Sequence, residues 1–147
     1  MLEDLVFQSG YAGLFLVSFL AATLVPVGSE IFVIALTLLG YNPGLVFAAA
    51  TTGNTLGAIV NYYAGRYGTD FVLSRYITVD PNKRHNLEKL FRKWGAPVLF
   101  FAWVPVVGDP LTVVAGGLKL NLSVFTLWVV TGKAFRYALL IVTAGTL

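Results

Sequence analysis

Twice in this chain an apolar stretch is broken in its middle by proline, glycine and an acid. The first runs from about Tyr11 to Gly40 and is interrupted by Pro26-Val27-Gly28-Ser29-Glu30. The second runs from about Ala96 to Leu118 and is interrupted by Pro105-Val106-Val107-Gly108-Asp109-Pro110. Proline inside a helix removes a backbone donor and clashes one turn back, so neither stretch forms a plain straight helix. Pro26 and Pro105 mark one break each, with Gly28 and Gly108 beside them, and Pro110 predicts a second break in the later stretch. The pieces on either side are short, roughly 9 to 15 residues or about 14–22 Å of helix.

Two further blocks are unbroken. One runs from about Gly44 to Gly65 and the other from about Asn121 to Ala144. Each is about 33 Å or more as a helix, enough for a hydrocarbon core of about 30 Å. The chain as a whole is 57% hydrophobic and 12% charged. Soluble domains carry about 25% charged residues, so most of this surface belongs in lipid. The expected fold is an all-α integral membrane protein, residues 1–147 forming one membrane domain.

The one markedly polar region lies between the second and third blocks, and it holds seven of the ten basic residues, from Arg66 to Lys93. The positive-inside rule places this connection in the cytoplasm. Within it, Asp80-Pro81 reads as a helix cap followed by a first-turn proline. Leu87, Leu90, Phe91 and Trp94 then recur at helical spacing, and Gly95 and Pro97 close the helix. This amphipathic helix either rests on anionic headgroups or packs on the protein's own cytoplasmic face.

The two halves resemble each other at a constant offset of 79 residues. Val25-Pro26-Val27 aligns with Val104-Pro105-Val106, Glu30 with Asp109, Asn42 with Asn121, and Thr52-Gly53 with Thr131-Gly132. The matches gather at breaks and turns, where a shared apolar composition would not put them. Repeat 1 covers about 11–66, the basic connection about 67–95 and repeat 2 about 96–145. If each broken stretch is a re-entrant hairpin, each half crosses the membrane once and the repeats have inverted topology, as in many secondary transporters. If the broken stretches span fully, the repeats run parallel. The prolines favour hairpins, because unwound backbone at membrane depth survives only where protein buries it or where it lines a wet cavity.

Four ionisable residues fall inside the apolar blocks: Glu30, Asp109, Lys133 and Arg136. Each costs at least about 2.5–3.5 kcal/mol at a helix centre, so all four must pair or line water. Lys133 and Arg136 are three apart and share one helix face. Their repeat counterparts are Asn54 and Gly57. The Gly53-x-x-x-Gly57 spacing suits close helix packing. Lys133 and Arg136, with Asn54 and Arg66, are the candidate binding groups for an anionic headgroup, since the planar guanidinium fork suits phosphate. Glu30 and Asp109 are the candidate proton carriers, because burial raises a carboxyl pKa and a nearby cation lowers it. The alternative is a charge network that only holds the helices together.

The sequence offers no cysteine, no zinc signature and no nucleophile elbow, and its one histidine, His85, lies in the charged stretch. Neither a metal, a cofactor nor an enzymatic activity is therefore expected, and no nucleic-acid partner.

At Pro26-Val27-Gly28-Ser29-Glu30, Gly53-Asn54-Thr55-Leu56-Gly57, Gly65-Arg66-Tyr67-Gly68, Trp103 to Asp109 and Gly132 to Tyr137, the chain resembles the DedA family, the SNARE-associated or VTT-domain superfamily, and its short YqaA-like bacterial branch. The resemblance implies two facing re-entrant hairpins, a place in the bacterial inner membrane and a role in membrane homeostasis. It also implies partners among membrane lipids, with anionic or polyprenyl phosphate headgroups, and a function as transporter, flippase or scramblase. The family's hairpin glutamate carries over to Glu30, and its glycine-arginine pair to Gly65 and Arg66. Typical members place an arginine three residues before and three after the second hairpin's proline. Those positions are Ala102 and Gly108 here, which leaves Lys133 and Arg136 to supply positive charge from the neighbouring helix. The chain lacks the flanking spans of longer members, and a homodimer would seal it.

Overall fold

A computed structural model of the chain describes residues 2–23, 28–68, 81–104 and 107–147. The expected breaks at Pro26 and Pro105, the expected cap Asp80 and residues 69–80 of the basic connection lie outside the described residues. The described elements are all helical: α1 (Leu2–Thr23), α2 (Glu30–Leu38), α3 (Pro43–Tyr67), α4 (Pro81–Trp94), a 3-10 helix (Ala96–Trp103), α5 (Gly108–Gly117) and α6 (Leu122–Gly145).

Helix length follows the sequence punctuation. The unbroken blocks become α3 and α6, both long and apolar enough to cross a membrane. The elements after the breaks are short. With 9 residues in α2 and 10 in α5, each extends about 14–15 Å, half a hydrocarbon core. The eight residues of the 3-10 helix extend about 16 Å at the steeper rise of that helix. Only α1 departs from the expected lengths. It starts at Leu2 rather than near Tyr11 and has 22 residues, or about 33 Å. Pro110 does not make a second break. It is the third residue of α5, where its missing N–H is one of the donors a helix leaves unpaired anyway.

The turn between α2 and α3 recurs between α5 and α6, 79 residues later. Gly40 (φ 87°) and Lys119 (φ 56°) each take the left-handed conformation that ends a helix. Tyr41 N–H donates to the Leu36 carbonyl and Leu120 N–H to the Ala115 carbonyl, closing the two helix ends alike. Asn42 Oδ1 then accepts from the N–H groups of Gly44 and Leu45 at 2.9 and 3.2 Å. Asn121 Oδ1 accepts from those of Ser123 and Val124 at the same distances. The repeated asparagines are thus helix caps.

The described residues fall into two compact units, and neither follows the sequence halves. Unit 1 comprises residues 1–57 and 133–147, and unit 2 residues 58–132. Unit 1 therefore holds α1, α2, the start of α3 and the end of α6. Its core gathers Leu14, Val33, Val46, Ala50 and Tyr137, with Leu140 and Ile141 packed against them. There the start of α3 lies beside the end of α6, so the two helices run antiparallel. Unit 2 holds the end of α3, α4, the 3-10 helix, α5 and the start of α6. Its core includes Tyr62, Leu99, Leu111, Phe125 and Val129. Tyr62 and Phe125 meet with ring centroids 4.8 Å apart.

The repeated Thr-Gly pair has a packing cause. A Cβ at Gly53 would fall on the Phe15 carbonyl oxygen of α1, and one at Gly132 on the Phe100 carbonyl oxygen of the 3-10 helix. In each half the spanning helix therefore touches the backbone of the arm that precedes it. Gly57 likewise abuts Phe19 and Ala22, so the glycine spacing on α3 is used inside unit 1. α4 spans Pro81–Trp94, as its sequence predicts. Leu87 and Phe91 are buried in unit 2, while Leu90 and Trp94 are exposed.

Candidate functional site

Unit 1 draws charge into its interior at the start of α2. The chain enters that helix through Gly28-Ser29, and Val33 N–H donates to the Ser29 carbonyl to close the first turn. A Cβ at Gly28 would occupy the place of the Glu30 carboxylate, so glycine lets that carboxylate fold back over the helix entrance. The carboxylate forms an ion pair with the Arg136 guanidinium of α6. The neighbouring residues pair as well: the Ser29 and Tyr137 hydroxyls share a hydrogen bond of 2.5 Å. Two consecutive residues at the α2 entrance thus hold two consecutive residues of α6. The Arg136 and Glu30 side chains remain 19% and 24% exposed.

One turn earlier on α6, Lys133 is 2% exposed. Its ammonium donates to Asn54 Oδ1 on α3. Asn54 Nδ2 in turn donates to the Ser18 carbonyl on α1 at 2.9 Å. A single polar chain therefore crosses from α6 through α3 to α1. Lys133 and Asn54 are repeat counterparts, each at the same position of its own half. Beside them the buried hydroxyls of Ser18, Thr51 and Thr55 have no hydrogen-bond partner among the described residues. Unsatisfied buried hydroxyls are costly and mark places that take up water or ligand oxygens.

The structure thus brings Glu30, Asn54, Lys133 and Arg136 together in unit 1. Asp109 and Arg66 belong to unit 2. Asp109 is the second residue of α5, and its carbonyl accepts from the Thr112 hydroxyl at 2.6 Å. That hydroxyl also accepts from Asn61 Nδ2 at 3.2 Å. Arg66 is exposed at the end of α3 and donates to the hydroxyls of Tyr62 and Tyr67, at 3.0 and 3.1 Å. The Tyr62 hydroxyl in turn donates a hydrogen bond to the Leu120 carbonyl. Gly65 and Gly116 let α3 and α5 meet backbone to backbone, since a Cβ on either would fall on a carbonyl oxygen of the other helix. At the start of α5, Gly108 lies against the Ala102 carbonyl and its N–H donates to the Val104 carbonyl.

Ser29, Tyr137, Ser18, Thr51 and Thr55 are site residues that the sequence does not single out. For Thr51 and Thr55 a signal exists: with Asn54 they fall three and four apart on one face of an apolar helix. Ser29 and Tyr137 meet across 108 positions, and no local spacing announces them.

Two helices of spanning length, short apolar arms and an ion pair between apolar segments are consistent with a polytopic integral membrane protein. The chain matches the VTT domain family over residues 25–146 and belongs to that family, the DedA family. It is 34% identical over 125 residues to the inner membrane protein YqaA of Escherichia coli, covering 84% of this chain and 83% of the relative. It is 33% identical over 138 residues to an uncharacterized protein of Haemophilus influenzae, covering 87% and 83%. An uncharacterized protein of Methanocaldococcus jannaschii is 30% identical over 142 residues, with 95% and 87% covered. No solved structure matches the chain. The protein is a multi-pass membrane protein of the bacterial inner-membrane kind.

Proposed function

We propose that this protein translocates a phosphate-bearing lipid, such as a polyprenyl phosphate or a related anionic solute, with unit 1 holding the headgroup. The observation that carries the reading is the meeting of a fully buried lysine and a neighbouring arginine, one turn apart on α6, with Glu30 and Asn54. An arriving phosphate competes with Glu30 for the planar Arg136 fork and takes a second contact from Lys133. The displaced Glu30 carboxylate, no longer beside a cation, binds a proton more readily, which couples headgroup entry to proton uptake. The buried hydroxyls of Ser18, Thr51 and Thr55 supply further donors along the same face. Asp109, the repeat counterpart of Glu30, is the second proton carrier, in unit 2, and Arg66, exposed at the end of α3, is a separate cationic contact for the headgroup.

The topology proposed is that of two inverted repeats, each a re-entrant hairpin followed by a spanning helix, with the basic connection in the cytoplasm. Three features support it. The arms α2, α5 and the 3-10 helix are each too short to cross. Within unit 1, α3 and α6 run antiparallel. Lys133 touches its own repeat counterpart, Asn54. In a two-fold arrangement, equivalent residues touch only beside the axis, and equivalent antiparallel helices require that axis to lie across them, in the membrane plane. Transporters of inverted topology bind their cargo at that position. On this reading Tyr11–Thr23, about 20 Å of α1, forms the first hairpin arm.

The test is translocation of a labelled polyprenyl phosphate in proteoliposomes. Lys133→Ala and Arg136→Ala abolish translocation while the helix content and elution of the protein are kept. Full transport by both variants overturns the proposed site. The Glu30–Arg136 ion pair favours one rival, a non-transporting protein stabilised by its internal charges. On that reading the variants unfold, and a charge-free pair at 30 and 136 restores folding with no transport to lose.

A further inference from the structure

Unit 2 contains a cleft of about 500 Å³ that the proposed translocation does not use. It is bounded by α4, the 3-10 helix and the start of α5, and its lining includes Leu90, Trp94, Val98, Phe101, Val107 and Leu111. The lining residues are all apolar. Two of its aromatic walls face outward: Trp94 is 63% and Phe101 53% exposed. At the rim the character changes abruptly. The Lys93 ammonium stands 5.4 Å from the centre of the Trp94 ring, and Lys89 and Arg92 are exposed on the same helix. Lys89 and Lys93 are one turn apart, so they present adjacent positive charges beside the opening.

We infer that this cleft is a binding site for one acyl chain of an anionic phospholipid, with the phosphate held by Lys93 and Lys89. The volume lies in the range of pockets that enclose small ligands. In a membrane protein the fluid against an exposed apolar cleft is lipid, and an acyl chain fills it without unpaired polar atoms. The cationic rim selects among lipids, because basic residues at a membrane surface attract anionic headgroups. Trp94 joins the two parts: its ring carries the lysine and its side chain lines the cleft, and tryptophan is enriched at membrane interfaces. The site makes α4 a lipid-gripping element, and it does not rest on the translocation reading, since none of its residues belongs to unit 1.

The experiment uses Trp94 as the reporter. Trp103 and Trp128 are replaced by phenylalanine, and the full chain is reconstituted in phosphatidylcholine vesicles. A minor fraction of phosphatidylglycerol or of phosphatidylcholine is added with brominated acyl chains, which quench tryptophan at contact. The site predicts stronger quenching by the brominated phosphatidylglycerol, corresponding to enrichment of about fivefold or more, the effect of one basic residue near an anionic surface. Lys89→Gln/Lys93→Gln removes the preference and leaves the quenching by phosphatidylcholine unchanged. Equal quenching by the two lipids in the parent protein shows ordinary boundary lipid only and overturns the inference. So does the absence of quenching by either. Because the parent comparison decides the matter, a variant that fails to fold does not rescue the proposal. Polyprenyl phosphate transport is read separately, so failure of one claim leaves the other standing.

Discussion

Replacing Glu30 by glutamine keeps the size of the side chain and removes its charge. Arg136 then loses the carboxylate it pairs with. Breaking a buried ion pair by removing one partner costs about 3–5 kcal/mol. An independent scale, the insertion of arginine at the centre of a membrane helix, gives about 2.5–3.5 kcal/mol. Both side chains are a fifth to a quarter exposed, so the lower ends apply, and Glu30→Gln is expected to cost about 3 kcal/mol. Measured against a typical total of about 5–15 kcal/mol, that is a large share of the stability. Glu30→Gln/Arg136→Gln removes both charges and leaves two amides able to bond each other. Its loss falls to about 1 kcal/mol, the worth of one ordinary hydrogen bond. The double variant is therefore more stable than Glu30→Gln by about 2 kcal/mol, and a double-mutant cycle isolates the interaction term as the double loss minus the sum of the two single losses. Reversible unfolding in mixed micelles, followed by circular dichroism, measures all the variants. If Glu30→Gln costs less than about 0.5 kcal/mol, or if the double loss equals the sum of the two single losses, the ion pair is not a coupled interaction and the reasoning fails.

Two further outcomes follow from the repeated packing and the repeated turn. Gly53→Leu and Gly132→Leu each force a side chain onto a carbonyl of the preceding arm, and each is expected to destabilise by about 1–3 kcal/mol or more in the same assay. Asn42→Ala and Asn121→Ala each remove a cap of identical geometry and are expected to cost about 1 kcal/mol apiece, with similar values for the two. Markedly unequal losses would mean that the two turns are not energetically equivalent.

Much of this architecture can be read from residue spacing, and the limit of that reading is physical. The Pro81–Trp94 helix is legible because proline, glycine and the 3.6-residue period are local signals. The Asn42/Asn121 and Thr-Gly identities locate the repeat, although only the fold shows that one is a cap and the other a backbone contact. The charges announce that they must be satisfied, since lipid offers them nothing. They do not announce with what: Lys133 reaches Asn54 across 79 positions, and Ser29 reaches Tyr137 across 108. Such partners are set by which helices cross, and spacing carries no record of crossings. Pro110 shows the converse error. A proline next to a glycine and an acid looks like a break, and the same three residues also make a favourable helix start.

The exchange of segments between the units has a consequence for assembly. Unit 1 joins residues 1–57 to residues 133–147, and unit 2 is made of residues 58–132 between them. Unit 1 is therefore incomplete until the last turns of α6 have been made. Cut between residues 68 and 81, the chain would yield two fragments, each incomplete alone, that would regain a native fold only in one another's company.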